Sequence, residues 1–325
     1  MMMAVIEPEP GFAVEAGGAR ILGGIVGEVA NDEPEHELSF DDLIFSSSPI
    51  TPRAFVTPPV MQFMSPTHLD LSNASLGPRM LMLANVLGKE FRSGRMQGML
   101  SLNLRNNGAG PSGAIAIAGA LIESSNITSF DFSHNGAEES GVCALINALA
   151  ISPSPLRHLD LQVNRAGPAG ARAAAVLLET STHLVSLNMS LNRIGAKGAV
   201  AIARSLRRNS TLETLQVSHN NMRDKGALSF ADALRCNRTL TSLNLRCNAF
   251  SGVCTAILHE MANQRNGDGD GHCLNILLSD HSLSIPNASR ESVALSFEVC
   301  RRRLGSSLAL HVIQRYLCDE VHHQR

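Results

Sequence analysis

The chain is 325 residues long, with a formal net charge of −2 and a pI near 6.6. That balance leaves no global field to draw nucleic acid or a membrane surface, so neither is expected as a partner. Its seven cysteines are an odd number with no CxxC pair, which argues against a disulfide framework and for a reducing compartment.

The first 62 residues lack any core-forming pattern. The stretch "GFAVEAGGARILGGIVGEVA" (Gly11 to Ala30) is mildly apolar, but Glu15, Arg20 and Glu28 interrupt it. It is too polar to span a bilayer and does not read as a targeting signal. "NDEPEHELSFDDLIF" (Asn31 to Phe45) sets six acids around a few apolar residues, and a Pro- and Ser/Thr-rich stretch follows. Such composition cannot bury enough apolar surface to fold alone, so residues 1–62 are expected to be disordered or draped on a partner. Leu38, Phe40, Leu43, Ile44 and Phe45 are the apolar anchors of that docking segment.

A repeat occupies residues 63–280. Its phrase is apolar, two variable, apolar, variable, apolar, two variable, Asn. A degenerate copy comes first, with Leu69, Leu71 and Ala74 in place of Asn. The next Asn is 33 residues on, so about five residues are inserted, and "LGKEFRSGRMQG" is the expected place. Full copies end at Asn107, Asn135, Asn164, Asn192, Asn220 and Asn248, at intervals of 28, 29, 28, 28 and 28 residues. Within a copy, Leu187 and Met189 alternate with polar residues, the mark of a strand with one buried face. Gly113, Gly141, Gly170, Gly198 and Gly226 each stand six residues past an Asn. Gly in a helix costs about 1 kcal/mol relative to Ala, and close approach of the helix start to its own strand is the expected reason for it. Ala199, Ile202, Ala203 and Leu206 then recur at helical spacing. Cys247 and Cys254 occupy repeat positions and read as core residues.

Past Asn248 the pattern frays. "NQRNGDGDGH" (Asn263 to His272) lacks the ligand spacing of a calcium loop, and "CLNILLS" (Cys273 to Ser279) reads as a last strand. Residues 281–325 hold two short helical patterns, expected to cap the end of the stack.

From about Thr67 to Leu258 the chain resembles leucine-rich repeats of the ribonuclease-inhibitor type. The resemblance implies an α/β solenoid of about seven to eight repeats, with parallel strands on a concave face and helices on a convex one. Backbone accounting gives the Asn a role of its own. Where strand turns to loop, buried N–H and C=O groups lose their partners, and a side-chain amide offers both donor and acceptor. Asn107, Asn135, Asn164, Asn192, Asn220 and Asn248 are therefore expected to form a ladder.

No catalytic constellation appears, and the scattered histidines read as repeat positions; no enzyme activity, cofactor or metal is expected. The remaining candidate surface is the concave one. Outward-pointing strand positions give Asp70, Asn103, Arg105, Asp131, Asp160, Asn188, Gln216, Asn244 and Arg246 as protein-binding candidates. The function expected is a non-catalytic interaction scaffold, or a structural subunit of a multi-protein assembly, cytoskeletal or axonemal as in cilia and flagella. It would be cytoplasmic and cytoskeleton-associated. The alternatives are an enzyme inhibitor and a regulator resembling Ran GTPase-activating proteins, for which Arg165 and Arg193 stand in repeat loops.

Overall fold

The computed structural model describes residues 67–267 and 273–278. The chain divides into two units, Met1–Leu38 and Ser39–Arg325, and every described residue lies in the second. The anchors Leu38 to Phe45 and the helical patterns of 281–325 lie outside the described residues.

Strand and helix alternate throughout. They are β1 (His68–Asp70), α1 (Met80–Arg92), β2 (Ser101–Asn103), α2 (Gly110–Leu121), β3 (Ser129–Asp131) and α3 (Glu138–Ile151). Then come β4 (His158–Asp160), α4 (Gly167–Thr180), β5 (Ser186–Asn188), α5 (Gly195–Leu206), β6 (Thr214–Gln216), α6 (Arg223–Leu234), β7 (Ser242–Asn244), α7 (Gly252–Gly267) and β8 (Asn275–Leu277). A 3₁₀ turn, Gly77–Arg79, leads into α1. The extra residues of the first repeat form turns between α1 and β2, within the stretch marked out by the sequence.

All eight strands form one sheet in the order β1 to β8. Neighbours pair parallel with equivalent residues in register, as Leu159↔Leu187 and Leu187↔Leu215. Each strand has three residues, yet the ladder runs on beyond it. Leu104 N donates to Asp131 O at 2.8 Å, Asn106 N to Ser133 O at 2.9 Å and Gly110 N to Asn135 O at 2.9 Å. Every loop is thus stitched to the next repeat, which satisfies backbone groups that a short strand would otherwise orphan. Strands sit about 4.8 Å apart whereas packed helices need about 8–10 Å. A stack joining the two layers curves with its sheet inside.

The stitching imposes a backbone conformation that the pattern did not show. The residues one before, one after and three after each Asn from Asn107 to Asn220 take positive φ, and Asn248 keeps the first two of these. Val163, Arg165 and Gly167 do so around Asn164, and Leu191, Arg193 and Gly195 around Asn192. A left-handed residue other than Gly, Asn or Asp is strained by about 1–2 kcal/mol. The dense interrepeat bonding holds Val163 and Leu191 there all the same.

The repeated glycines need correction. A Cβ built on Gly198 would lie 2.5 Å from Ile194 Cγ2 and 2.6 Å from Ala171 Cβ. One on Gly141 would lie 2.7 Å from Ala114 Cβ and 3.2 Å from Ala137 Cβ. The close approach is to the preceding repeat's helix and to the residue four back, not to the repeat's own strand. The residue after each Gly, as at Ala114, Val142, Ala171 and Ala199, is what the next Gly packs on. Between the layers runs one continuous core, with Phe130, Leu159, Leu187, Ile202, Leu215 and Phe230 buried in it. Of the two cysteines read as core, only Cys254 is buried; Cys247 is exposed in a loop with φ of 54°.

Candidate functional site

The buried amides come first, because they set the geometry of the strand face. Asn192 Nδ2 donates to Leu161 O of the preceding repeat at 2.8 Å and to Ser190 O at 3.1 Å. Its Oδ1 accepts from Asn164 N at 3.0 Å and Ala166 N at 3.1 Å. Asn135, Asn164 and Asn220 repeat the pattern, and Asn248 and Asn107 open and close the described row. Helices α1 to α6 have no side-chain cap of their own; α2 to α6 begin after the apolar residues Ala109, Ala137, Ala166, Ile194 and Met222. For the first four, the bond from that residue's N–H to the next repeat's Asn does the work a cap would do.

A second row, buried at all but Ser181, escaped the pattern reading. Ser124, Ser152, Ser181, Asn209 and Asn237 stand 28, 29, 28 and 28 residues apart, past the helix ends. Asn237 Nδ2 donates to Leu206 O at 2.8 Å and Asn209 O at 3.0 Å, and Asn209 Nδ2 to Leu178 O at 2.8 Å. Ser152 Oγ donates to Ser124 O at 2.9 Å. The signal was present as a second register of the same period, hidden because three residue types share it. Arg265, 28 residues past Asn237, takes the next place. It is 4 % exposed and its Nη2 donates to Arg238 O at 2.7 Å. Burial first, then the charge of Arg238, holds its pKa below the usual arginine value.

The strand-face candidates fall into two rows. Asp70, Asn103, Asp131, Asp160, Asn188, Gln216 and Asn244 stand in one, in sheet register. Most of them serve their own backbone. Oδ1 of Asp131 and of Asp160 accepts the N–H two residues on at 2.8 Å, and Asn188 and Asn103 do the same at 3.1 Å. These are Asx turns that close each strand. One oxygen of each Asp and Asn in this row is therefore engaged with its own backbone, which leaves the other oxygen or the amide nitrogen on the strand face. Gln216, one methylene longer, makes no such turn bond and is exposed.

The second row holds Arg105 and Arg246, both exposed, with Ser133, Ser190 and Ser218 between them buried rather than outward in solvent. The hydroxyls of Ser133 and Ser190 have no partner among the described residues.

Asp131 and Asp160 are adjacent in register at the middle of the sheet. Asp160 Oδ2 accepts from Asn188 Nδ2 at 2.9 Å. Burial pushes the Asp160 carboxyl up, and the Asp131 charge adds to this; bonds from Gln162 and Asn188 and the Arg105 charge only partly offset it. At the edge, burial also pushes Asp70 up, but bonds from Ser72 and Asn103 outweigh it and its carboxyl lies below the usual range. A carboxyl raised in the folded state binds its proton more tightly there than when unfolded. It therefore contributes stability that is fully present below the unfolded value, about 3.9, and is lost as pH rises from there through the raised folded value. Asp160→Asn keeps the acceptor for Gln162 N and removes the charge. It should raise the denaturation midpoint at pH 7 and leave it unchanged near pH 3, as read by chemical denaturation at both pH values.

Arg165 approaches Glu138 at 3.9 Å, and both are exposed. Arg207 pairs with Asp232 at 2.9 Å across α5 and α6. Among the described residues no group of three His, Cys, Asp or Glu side chains could hold a metal ion, and no helix is long and apolar enough to cross a membrane.

Three stretches of the chain, residues 180–203, 208–231 and 236–253, match the family described as Leucine Rich repeat. No curated protein matches the chain. Among solved structures it is similar to one titled Leiomodin-1 Actin-Binding Site 2 (ABS2), at 21% identity and a TM-score of 0.38, over 47% of this chain and 91% of that one. Repeats of that family within residues 180–253, and eight parallel strands in one open sheet alternating with helices, give the described residues the fold of an α/β leucine-rich repeat solenoid.

Proposed function

We propose that the chain is a non-catalytic interaction scaffold whose strand face takes an extended polar segment of a protein partner. One observation carries the reading: the face is a single registered sheet with exposed Arg105 on β2's side and exposed Arg246 on β7's. Five strand spacings of about 4.8 Å separate those arginines, so roughly 24 Å of partner chain lies between them. The interval offers the half-buried Asp131, Asp160 and Asn188 and the exposed Gln216. Small buried serines beside them let a partner backbone approach closely. Large curved surfaces of stacked repeats bind in this way. The resemblance of the repeats to the ribonuclease-inhibitor type supports a place as structural subunit of a larger cytoplasmic, cytoskeleton-associated assembly, axonemal assemblies included.

Gln216→Arg with Arg246→Glu tests this without touching the Asn ladder or an Asx turn. In size-exclusion of gently lysed native cells, the intact chain is expected in a particle well above its own 34.7 kDa. The double variant is expected to run as the free chain with its melting temperature unchanged. An intact chain that runs free, or a double variant that stays in the particle, overturns the reading.

A further inference from the structure

The helix side of the solenoid is not uniform. Residues 106–122 carry no charge at all, and neither do residues 140–156, so α2 and most of α3 face solvent without ionic groups. The later helices differ: α4 carries Arg172 and Glu179, α5 Lys197 and Arg204, and α6 Arg223, Asp224, Lys225 and Asp232. Large apolar side chains stand out on this uncharged part and on the first turn of α1, whose own charges Lys89, Glu90 and Arg92 come only towards its end. Ile115 is 50 % exposed and Ile122 44 % on α2; Leu81 is 46 % and Met82 50 % on α1; Ile151, ending α3, is 72 %.

These residues form a patch. A Cβ at Gly113 would meet Met80, and one at Gly141 would meet Ala114, so Leu81 and Ile115, each one residue on, hold equivalent places on adjacent helices. Ile122 follows Ile115 by two helical turns, with the exposed Gly119 between them and nothing within 4 Å of a Cβ built there. Scattered apolar residues on a surface need no explanation, but a contiguous group without charge does.

We propose that this face is covered by the chain's own residues 39–66. This is independent of what the strand face binds. The segment joins the solenoid in the repeat that carries α1: Thr67 O, just before β1, accepts the amides of Leu100 and Ser101 at the start of β2. Its 28 residues reach about 90 Å fully extended, and the patch spans two helix spacings of about 10 Å. Its composition fits an apolar surface: Phe40, Leu43, Ile44, Phe45, Phe55 and Phe63 lie within it, with only three charges, Asp41, Asp42 and Arg53. Its two acids, Asp41 and Asp42, are opposite in sign to Arg79, Arg92 and Arg95 of the first repeat. Attachment to the first repeat holds the segment at millimolar effective concentration, so modest contact suffices. The apolar patch also lies at the attached end of the stack and gives way to charge from α4 onward. A partner spanning the whole outer face would not need that gradient.

The test is hydrogen exchange on the full chain at two concentrations a hundredfold apart. Protection is expected within residues 39–66, equal at both concentrations. Leu81→Glu with Ile115→Glu is expected to speed exchange there at least about tenfold while residues 101–260 exchange as before. Val176→Glu, equally exposed but on α4, is expected to change nothing. If the double variant disturbs residues 101–260, Ile115→Gln is used instead, with a smaller acceleration of the same segment expected. Segment amides that exchange at free-peptide rates in the unaltered chain overturn the proposal. So does protection indifferent to Leu81 and Ile115. Protection that fades on dilution also overturns it, in favour of a second copy as the occupant.

Discussion

Replacing Asn192 by Ala is expected to lower the free energy of unfolding by about 3 kcal/mol, the upper end of the penalty for a buried polar group left unpaired. The side chain is fully buried and makes four hydrogen bonds, two given to Leu161 O and Ser190 O and two received from Asn164 N and Ala166 N. Ala leaves those backbone groups behind in a fully buried site, where water does not replace the amide. A typical buried hydrogen bond is worth only about 1 kcal/mol net, but orphaning its partner costs more than the bond was worth. The loss is also local in an informative way. In a stack where each repeat contacts only its neighbours, one weakened interface uncouples the repeats on either side. The variant should therefore unfold over a broader denaturant range, with amides of Asn164 and Ala166 losing exchange protection first. Asn192→Asp sharpens the test. It keeps the acceptor but aims a carboxylate at two carbonyl oxygens, which raises its pKa; the variant should lose more stability at neutral pH than at pH about 4. Unchanged melting of Asn192→Ala would mean the amide row is decorative.

The same residues show what the sequence alone made legible. A period of 28 and two alternating leucines suffice to place strands, helices and the buried amides, because hydrophobic burial repeats with the backbone. The strand face was harder. Asp131, Asp160 and Asn188 were legible as outward-pointing, and they are, but a short acidic or amide side chain chooses between solvent and its own backbone two residues on. That choice depends on the left-handed loop that follows, and Val163 and Leu191 gave no sign that they take positive φ. Stitching between repeats enforces it, and stitching is not a property of any one repeat. The second row was missed for a related reason. Ser124, Ser152, Asn209 and Asn237 share a job, satisfying carbonyls at helix ends, but not an identity. Arg265 continues the row with a longer side chain.

The repeated glycines give the other large effect, and its sign reverses between two positions of the same kind. Gly198→Ala is expected to destabilise by about 2–3 kcal/mol, the cost of overpacking a filled core. The new Cβ would sit 2.5 Å from Ile194 Cγ2 and 2.6 Å from Ala171 Cβ. Neither can yield cheaply: Ile194 is β-branched and buried, and Ala171 has no side chain to rotate, so α4 and α5 must part. Gly119→Ala, also inside a helix, is expected to stabilise by about 0.5–1 kcal/mol, because nothing lies within 4 Å and Ala restricts the unfolded chain. Both follow from urea denaturation of the two variants side by side. The contrast separates two explanations of a repeated glycine. If glycine were kept for backbone freedom, both substitutions would act alike, since neither position has positive φ. If it is kept for distance, only the position where helices touch is intolerant. Gly198 lies where the outer layer is drawn in against its neighbour, and that contact sets the spacing of α4 and α5. The spacing in turn sets how sharply the sheet curves, and so the shape that any partner of the strand face must match.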